Sequence, residues 1–291
     1  MSRGALYIAT GETFIAEAET SAEQLREVMP DLDIGIMADE EPQSDAFTDF
    51  IKIENPEYDF VDKIAALPDS PYDKTLYLDS DIYVAEPIGE LFDVLGEWDI
   101  AAALDAHQLP ILQRDDHQAP GIYGEYDPVP EFNTGVLAYK TNWRVKECME
   151  IWLENYSSEA HWAGQPSFIP GIVESDARIC PLPRRYNYIP GLHNNVTGTV
   201  KVLHTRLQGG PDPIGKDLLD PDQIPQLLDR VNSRDDPRVT YPRNWNLEHF
   251  SDLETRPAAP LWMRVLITMQ NRGIGSTIKS FGRKFVRKVR N

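Results

Sequence analysis

Leu76-Tyr77-Leu78-Asp79-Ser80-Asp81-Ile82-Tyr83-Val84 sets two carboxylates, one residue apart, after an apolar and aromatic run that reads as a buried strand. An unpaired carboxylate inside a strand is very costly. At the C-terminal end of a strand in an α/β sheet it faces the crevice where ligands bind. With side chains alternating along the chain, Asp79 and Asp81 are expected to point the same way and to offer oxygens to one hard cation. Such a cation would in turn hold a diphosphate. The bland reading is a strand end and turn whose Asp side chains cap the next segment, since apolar-apolar-apolar-Asp-x-Asp is only moderately specific.

Outward from this stretch, strands and helices alternate. Ala5-Leu6-Tyr7-Ile8-Ala9 reads as the first strand and Thr10-Gly11-Glu12 as a turn. Phe14 to Met29 reads as a helix with Phe14, Ala18, Leu25 and Val28 on its inner face, stopped by Pro30. Asp33 to Met37 and Phe50 to Ile53 come next as strands, and Phe60 to Leu67 as a helix before Asp79. After Val84 come a short helix from Ile88, a strand over Trp98–Ala103, a strand over Phe132–Tyr139 and a helix over Trp143–Tyr156. Ala106 to Pro130, rich in Pro, Gly, Asp and His, reads as a long loop of the kind that serves as a lid or binding loop. The alternation predicts a largely parallel, doubly wound α/β sheet.

The 291 residues suffice for one large domain or two small ones. Cys148 and Cys180 offer neither a disulfide framework nor metal-ligand spacing, and read as core thiols of a reducing cytoplasm. Residues 1–9 are too short and too polar for a signal peptide to be expected there, and no apolar run reaches the roughly 18 residues needed to cross a bilayer. The net charge of −19 is unevenly spread. Residues 257–291 carry eight basic side chains and no acidic one, leaving 20 basic against 47 acidic residues in 1–256. Such a body repels nucleic acid, so a DNA or RNA partner is not expected. Lysine supplies only 10 of the 28 basic residues, a balance that suits a protein kept soluble in concentrated salt.

The basic tail also has a pattern. Ile274, Ile278, Phe281, Phe285 and Val289 fall on one helical stripe, with Lys279, Arg283, Lys284, Arg287, Lys288 and Arg290 on the other faces. A helix of this kind lies in the plane of an anionic membrane surface, each cation contributing on the order of 1 kcal/mol. Leu261-Trp262-Met263-Arg264-Val265-Leu266-Ile267 adds a segment able to insert shallowly. The competing reading docks the tail on the acidic body or on a partner. These contrasts divide the chain into a domain over 1–255 and a tail over 256–291, with a cytoplasmic location expected at the inner membrane face.

Taken in order, these elements resemble the nucleotide-diphospho-sugar transferases of the GT-A fold, and most of all the glycogenin-like retaining family, over residues 5 to about 206. Thr10-Gly11-Glu12-Thr13-Phe14 followed by Glu17-Ala18 looks like that family's opening turn, where base and ribose are held, Asp79-Ser80-Asp81 like its Asp-x-Asp, and Phe132-Asn133-Thr134-Gly135-Val136 like its Phe-Asn-Ser-Gly-Val strand. Gly164-Gln165 looks like its Asp-Gln element, and Leu182-Pro183-Arg184-Arg185-Tyr186-Asn187-Tyr188 like its Pro-x-x-Tyr-Asn segment. Val200-Lys201-Val202-Leu203-His204 is similar to the strand carrying its third metal ligand. The resemblance implies a GT-A mixed sheet and a Mn²⁺ or Mg²⁺ ion on Asp79, Asp81 and His204. It implies donor contacts from Ala9, Thr10, Phe14, Lys63, Ser80, Asp105, Asn133 and Arg206, with Gln165, Asp105 and Asn133 nearest the reacting carbon. Partners implied are a nucleotide-diphosphate sugar, UDP-sugar favoured, and a glycan or lipid-linked acceptor. A His ligand beside carboxylates leans toward Mn²⁺.

Two positions depart from the family pattern. Gly164 stands where the family has an acid, and His204-Thr205-Arg206-Leu207-Gln208-Gly209-Gly210 replaces its Gly and Lys-Pro-Trp run. Arg206 is expected to take the place of the Lys as a diphosphate clamp, since Arg grips phosphate bidentately. Two other readings compete. A non-catalytic nucleotide-sugar binder is suggested by Gly164. A haloacid-dehalogenase-like phosphatase would use Asp79 as nucleophile, although that motif normally sits on the first strand of its domain.

Overall fold

The computed structural model describes residues 1–105, 126, 129–157, 164–189, 195–196, 198–205, 223–232, 238–241 and 254–256. Most of the Ala106–Pro130 loop, Arg206, Gly209-Gly210 and the 257–291 tail lie outside the described residues.

Leu6 and Ile8 on the first strand pack into one apolar cluster while Ala5, Tyr7 and Ala9 pack into another, so both faces of the strand are covered. This is why that strand is apolar without interruption. It spans Arg3–Ala9 (β1) and is followed by β2 (Asp33–Ala38), β3 (Asp49–Lys52) and β4 (Lys74–Leu78). A short β5 (Ile82–Val84) precedes β6 (Ile100–Leu104), β7 (Phe132–Lys140) and β8 (Ile179–Leu182). Seven of these form one sheet in the order β3-β2-β1-β4-β7-β6-β8. The pairs β3–β2, β2–β1, β1–β4 and β6–β8 are parallel, whereas β7 runs against both β4 and β6. The sheet is mixed, with a parallel half where the alternation of strands and helices predicts one.

Helix α1 (Glu12–Val28) covers one face through Ile15, Ala18, Ala22 and Leu25. Ile15 rather than Phe14 starts its inner stripe, and Phe14 at the helix mouth is 39% exposed, which corrects the expectation from spacing. The opposite face carries α2 (Phe60–Ala66), α4 (Trp143–Asn155) and α5 (Phe168–Glu174), with Ile64, Met149, Trp152 and Phe168 buried; α3 (Leu91–Val94) lies with the first cluster. Asn142 caps α4, its side-chain oxygen accepting the Val145 N–H at 3.0 Å.

Outside the main sheet, β5 pairs antiparallel with β10 (Val202–His204). A three-stranded unit joins β9 (Asn195–Val196), β11 (Arg238–Tyr241) and β12 (Glu254–Arg256). Helix α6 (Ile224–Asn232) packs Ile224, Leu227, Leu228 and Val231 against Tyr188, Val200 and Leu203, supporting the strand that carries His204. Among the described residues no helix is long and apolar enough to cross a membrane.

Candidate functional site

Strand β4 stops at Leu78, and Asp79-Ser80-Asp81 forms a turn in which the Ile82 N–H donates to the Asp79 carbonyl at 3.3 Å. The two carboxylates therefore converge by turning, not by the alternation of a continuing strand, which corrects the geometry expected from the sequence. Neighbouring chain segments hold the turn. The Asp79 N–H donates to the Gly135 carbonyl on β7 at 2.8 Å, and the Thr205 N–H to the Asp81 carbonyl at 3.0 Å. Pairing of β10 with β5 sets His204 opposite Ile82. His204 Nε2 then lies 3.2 Å from Asp81 Oδ1, and ligand atoms of Asp79, Asp81 and His204 all fall within 4.8 Å of one another.

Gly135 makes room for this cluster. A Cβ there would lie 2.4 Å from His204 Cε1 and 2.9 Å from Asp79 Oδ2, closer than real Cβ contacts allow. Strand β7 is also irregular at this point: Ala102 on β6 faces Leu137, and the next residue, Ala103, faces Asn133. Thr134, Gly135 and Val136 bulge out of that pairing, a distortion typical of strands beside active sites. The bulge turns the Thr134 carbonyl to the Lys63 ammonium, which donates to it at 3.0 Å.

Lys63 is buried, and its Nζ donates to Asp79 Oδ1 at 2.7 Å while lying 4.7 Å from the centre of the Tyr77 ring. The Tyr77 hydroxyl donates to the same oxygen. Lys63 thus stands against Asp79, bringing a positive charge beside the acidic cluster. Burial would depress the His204 pKa, but the Asp81 and Asp79 carboxylates outweigh it and raise it. An imidazole so placed is drawn toward positive charge, and a cation between the carboxylates would compete with its proton.

From His204 a chain of buried amides leads away from the cluster. His204 Nδ1 lies 2.9 Å from Asn187 Oδ1, and Asn187 Nδ2 donates to Asn133 Oδ1 at 2.7 Å. Asn133 Nδ2 donates to Asp105 Oδ2 at 3.2 Å, and Gln165 Nε2 donates to Asp105 Oδ2 at 3.2 Å and to Glu131 Oε1 at 3.1 Å. The three residues expected nearest the reacting carbon, Gln165, Asp105 and Asn133, are thereby brought together and tied to the acidic cluster. Gly164 faces elsewhere: a Cβ there would meet Phe60 and Ile64 on α2 at 3.5–3.6 Å. Its carbonyl accepts from Trp152 Nε1 and Ser167 Oγ, each at 2.8 Å, which anchors the turn presenting Gln165.

Of the other expected donor contacts, Ala9 and Thr10 lie at the end of β1. Ala9 is its last residue, and the Thr10 hydroxyl donates to Asp62 Oδ2 at 2.8 Å. Gly11, at φ 90°, donates its N–H to Asp39 Oδ1 at 2.8 Å, and Tyr58, itself at φ 56°, projects over this turn with 66% of its surface exposed. The Ser80 hydroxyl donates to Glu17 Oε2, a buried acid on α1, at 2.7 Å. Arg206 lies outside the described residues. Sequence reasoning placed Glu17 with the opening turn but assigned no role to Asn187 or Glu131. Asn187 lies inside the Leu182–Tyr188 segment and Glu17 inside the first helix, but only their burial, at 1% and 0% exposure, distinguishes them from surface polar residues.

No protein-family model and no curated protein matches the chain. Solved structures do. The chain is similar to an active-site mutant of LgtC at 19% identity and TM-score 0.51, covering 90% of this chain and 99% of that one. It is similar to the glycosyltransferase GlyE of Streptococcus pneumoniae TIGR4 at 18% identity and TM-score 0.54, covering 78% of this chain and 60% of that one. Mouse xyloside xylosyltransferase 1 matches at 14% identity and TM-score 0.51, covering 73% of this chain and 100% of that one. These likenesses establish a GT-A fold.

Proposed function

We propose that this protein is a metal-dependent glycosyltransferase that moves a sugar from a nucleotide-diphosphate donor, UDP-sugar favoured, to a glycan or lipid-linked acceptor at the cytoplasmic membrane face. The observation that carries the reading is the convergence of Asp79, Asp81 and His204 at the sheet's C-terminal edge, joined by buried hydrogen bonds to Asn133, Asp105 and Gln165. Its GT-A neighbours GlyE and xyloside xylosyltransferase 1, both glycosyltransferases by name, support it.

Two carboxylates and one imidazole fit a divalent cation, Mn²⁺ before Mg²⁺, and Gly135 leaves the space their side chains need. Bound there, the cation would supply Lewis-acid stabilisation of the charge that grows on the departing diphosphate. The protein's own groups do the rest. Lys63 contributes a fixed positive charge beside Asp79. In this reading Asp105 and Asn133 would accept from and donate to sugar hydroxyls, and Gln165, bonded to Asp105, would face the reacting carbon. Thr10, Gly11, Phe14 and Tyr58 surround the position expected for the base and ribose. A phosphatase reading is disfavoured because the Asp-x-Asp comes after the fourth strand and shares its site with His204.

The test is a panel of nucleoside diphosphates and their sugars at high salt, with Mn²⁺ and again with EDTA, read as a shift in thermal midpoint and as donor turnover. A ligand at 100 times its dissociation constant should stabilise by about 2.7 kcal/mol. Metal-dependent stabilisation by one diphosphate, abolished in Asp81→Asn, is the expected result. Full activity of Asp81→Asn would end the metal assignment. Binding without any cleavage would make the protein a nucleotide-sugar binder.

A further inference from the structure

The direction of every hydrogen bond between His204 and Asp105 is set by one backbone group. Gly135 N–H, which can only donate, meets the Asn133 side chain at 2.9 Å, so the Asn133 atom facing it is the carbonyl oxygen. The Asn133 amino group then points to the Asp105 carboxylate, an acceptor, at 3.2 Å. The same Asn133 oxygen lies 2.7 Å from the Asn187 amide, which must present its amino group there. Asn187 consequently turns its oxygen to His204 Nδ1 at 2.9 Å. An oxygen accepts, so Nδ1 donates its proton to Asn187, and Nε2, which faces the Asp81 carboxylate, is the nitrogen left for a cation to take in place of its proton.

We infer that Asn187 is a positioning residue that couples the metal site to the donor-sugar site. This rests on the proposed glycosyltransferase function. Its oxygen holds His204 in the tautomer and ring orientation needed for a metal ligand, and its amino group holds the Asn133 side chain that faces the sugar. Asn187 is 1% exposed and both these hydrogen bonds run to site residues, so it has no solvent-facing duty. Partners that orient a ligating histidine typically change metal affinity roughly 10- to 100-fold when removed. Because one amide serves both neighbours, a change that keeps one bond and breaks the other separates the two effects.

The experiment compares Asn187→Ala and Asn187→Asp with the unaltered protein. Mn²⁺ affinity is read calorimetrically without nucleotide, and a UDP-sugar is read against UDP in saturating Mn²⁺. Asn187→Ala should lower Mn²⁺ affinity at least tenfold. Asn187→Asp, which keeps an oxygen for His204 but loses the amino group facing Asn133, should hold Mn²⁺ affinity within a few-fold while the preference for UDP-sugar over UDP falls. Asn187→Ala with unaltered Mn²⁺ affinity overturns the inference and leaves the proposed function standing. Unaltered protein that binds neither Mn²⁺ nor UDP overturns both.

Discussion

At the scale of single residues, Gly135 does more for the site than its lack of a side chain suggests. Its N–H orders the amide chain, its carbonyl holds Asp79, and its bare Cα leaves space for the His204 ring. Gly135→Ala would force the imidazole or the carboxylate to move, a kind of overpacking that costs about 1–3 kcal/mol. The expected outcome is a folded protein whose Mn²⁺ affinity falls at least tenfold by calorimetric titration. Wild-type affinity would show that the cluster relaxes without loss. Gly135 was visible in the sequence inside Phe132-Asn133-Thr134-Gly135-Val136, but the atoms its Cβ would strike belong to residues far away in the chain.

At the scale of elements, Asp99 at the head of β6 joins pieces that the site depends on. It is 1% exposed. It accepts from the Arg178 N–H before β8 at 3.1 Å and from the Asn142 amide, the α4 cap, at 3.1 Å, with Lys140, Arg144 and Arg178 side chains within 3.5–3.9 Å. Burial pushes its carboxyl pKa up, but these N–H groups and cations overcome it and hold it below the usual carboxylate range. A depressed folded pKa stabilises at every pH above the unfolded value, about 3.9. That stability is lost as pH falls through the lower folded value. Asp99→Asn should therefore cost about 1.5–3 kcal/mol at neutral pH, the worth of hydrogen bonds to a charged group. The gap between the two proteins in urea unfolding should stay level down to about pH 5 and narrow below about 4. A gap independent of pH would mean that shape, not charge, matters there.

Across the whole molecule, charge is the organising quantity. The acidic body and the basic 257–291 segment are opposite in sign, and from the segment's apolar stripe we propose that it meets an anionic lipid surface. Removing residues 257–291 should leave Mn²⁺-dependent UDP binding unchanged and release the protein from phosphatidylglycerol vesicles in a sedimentation assay. The contrast should fade as salt rises, because exposed charges are screened. Vesicle binding that survives the deletion would place the contact on the body instead.

The sequence by itself determined the parallel half of the sheet, the helices on its faces and the Asp-x-Asp after the fourth strand. Those features are local: apolar runs, stop signals and short spacings carry them, and the strands over Asp33–Ala38 and Phe132–Lys140 match their expected spans closely. Only the tertiary structure decided that β7 runs antiparallel with a three-residue bulge, that the Asp79–Asp81 turn rather than strand alternation aims the carboxylates, and that Asn187 stands between His204 and Asn133. The physical reason is common to all three. A hydrogen bond's partner and direction depend on which distant strands lie side by side, and pairings such as β5 with β10 are settled by burial of the whole core.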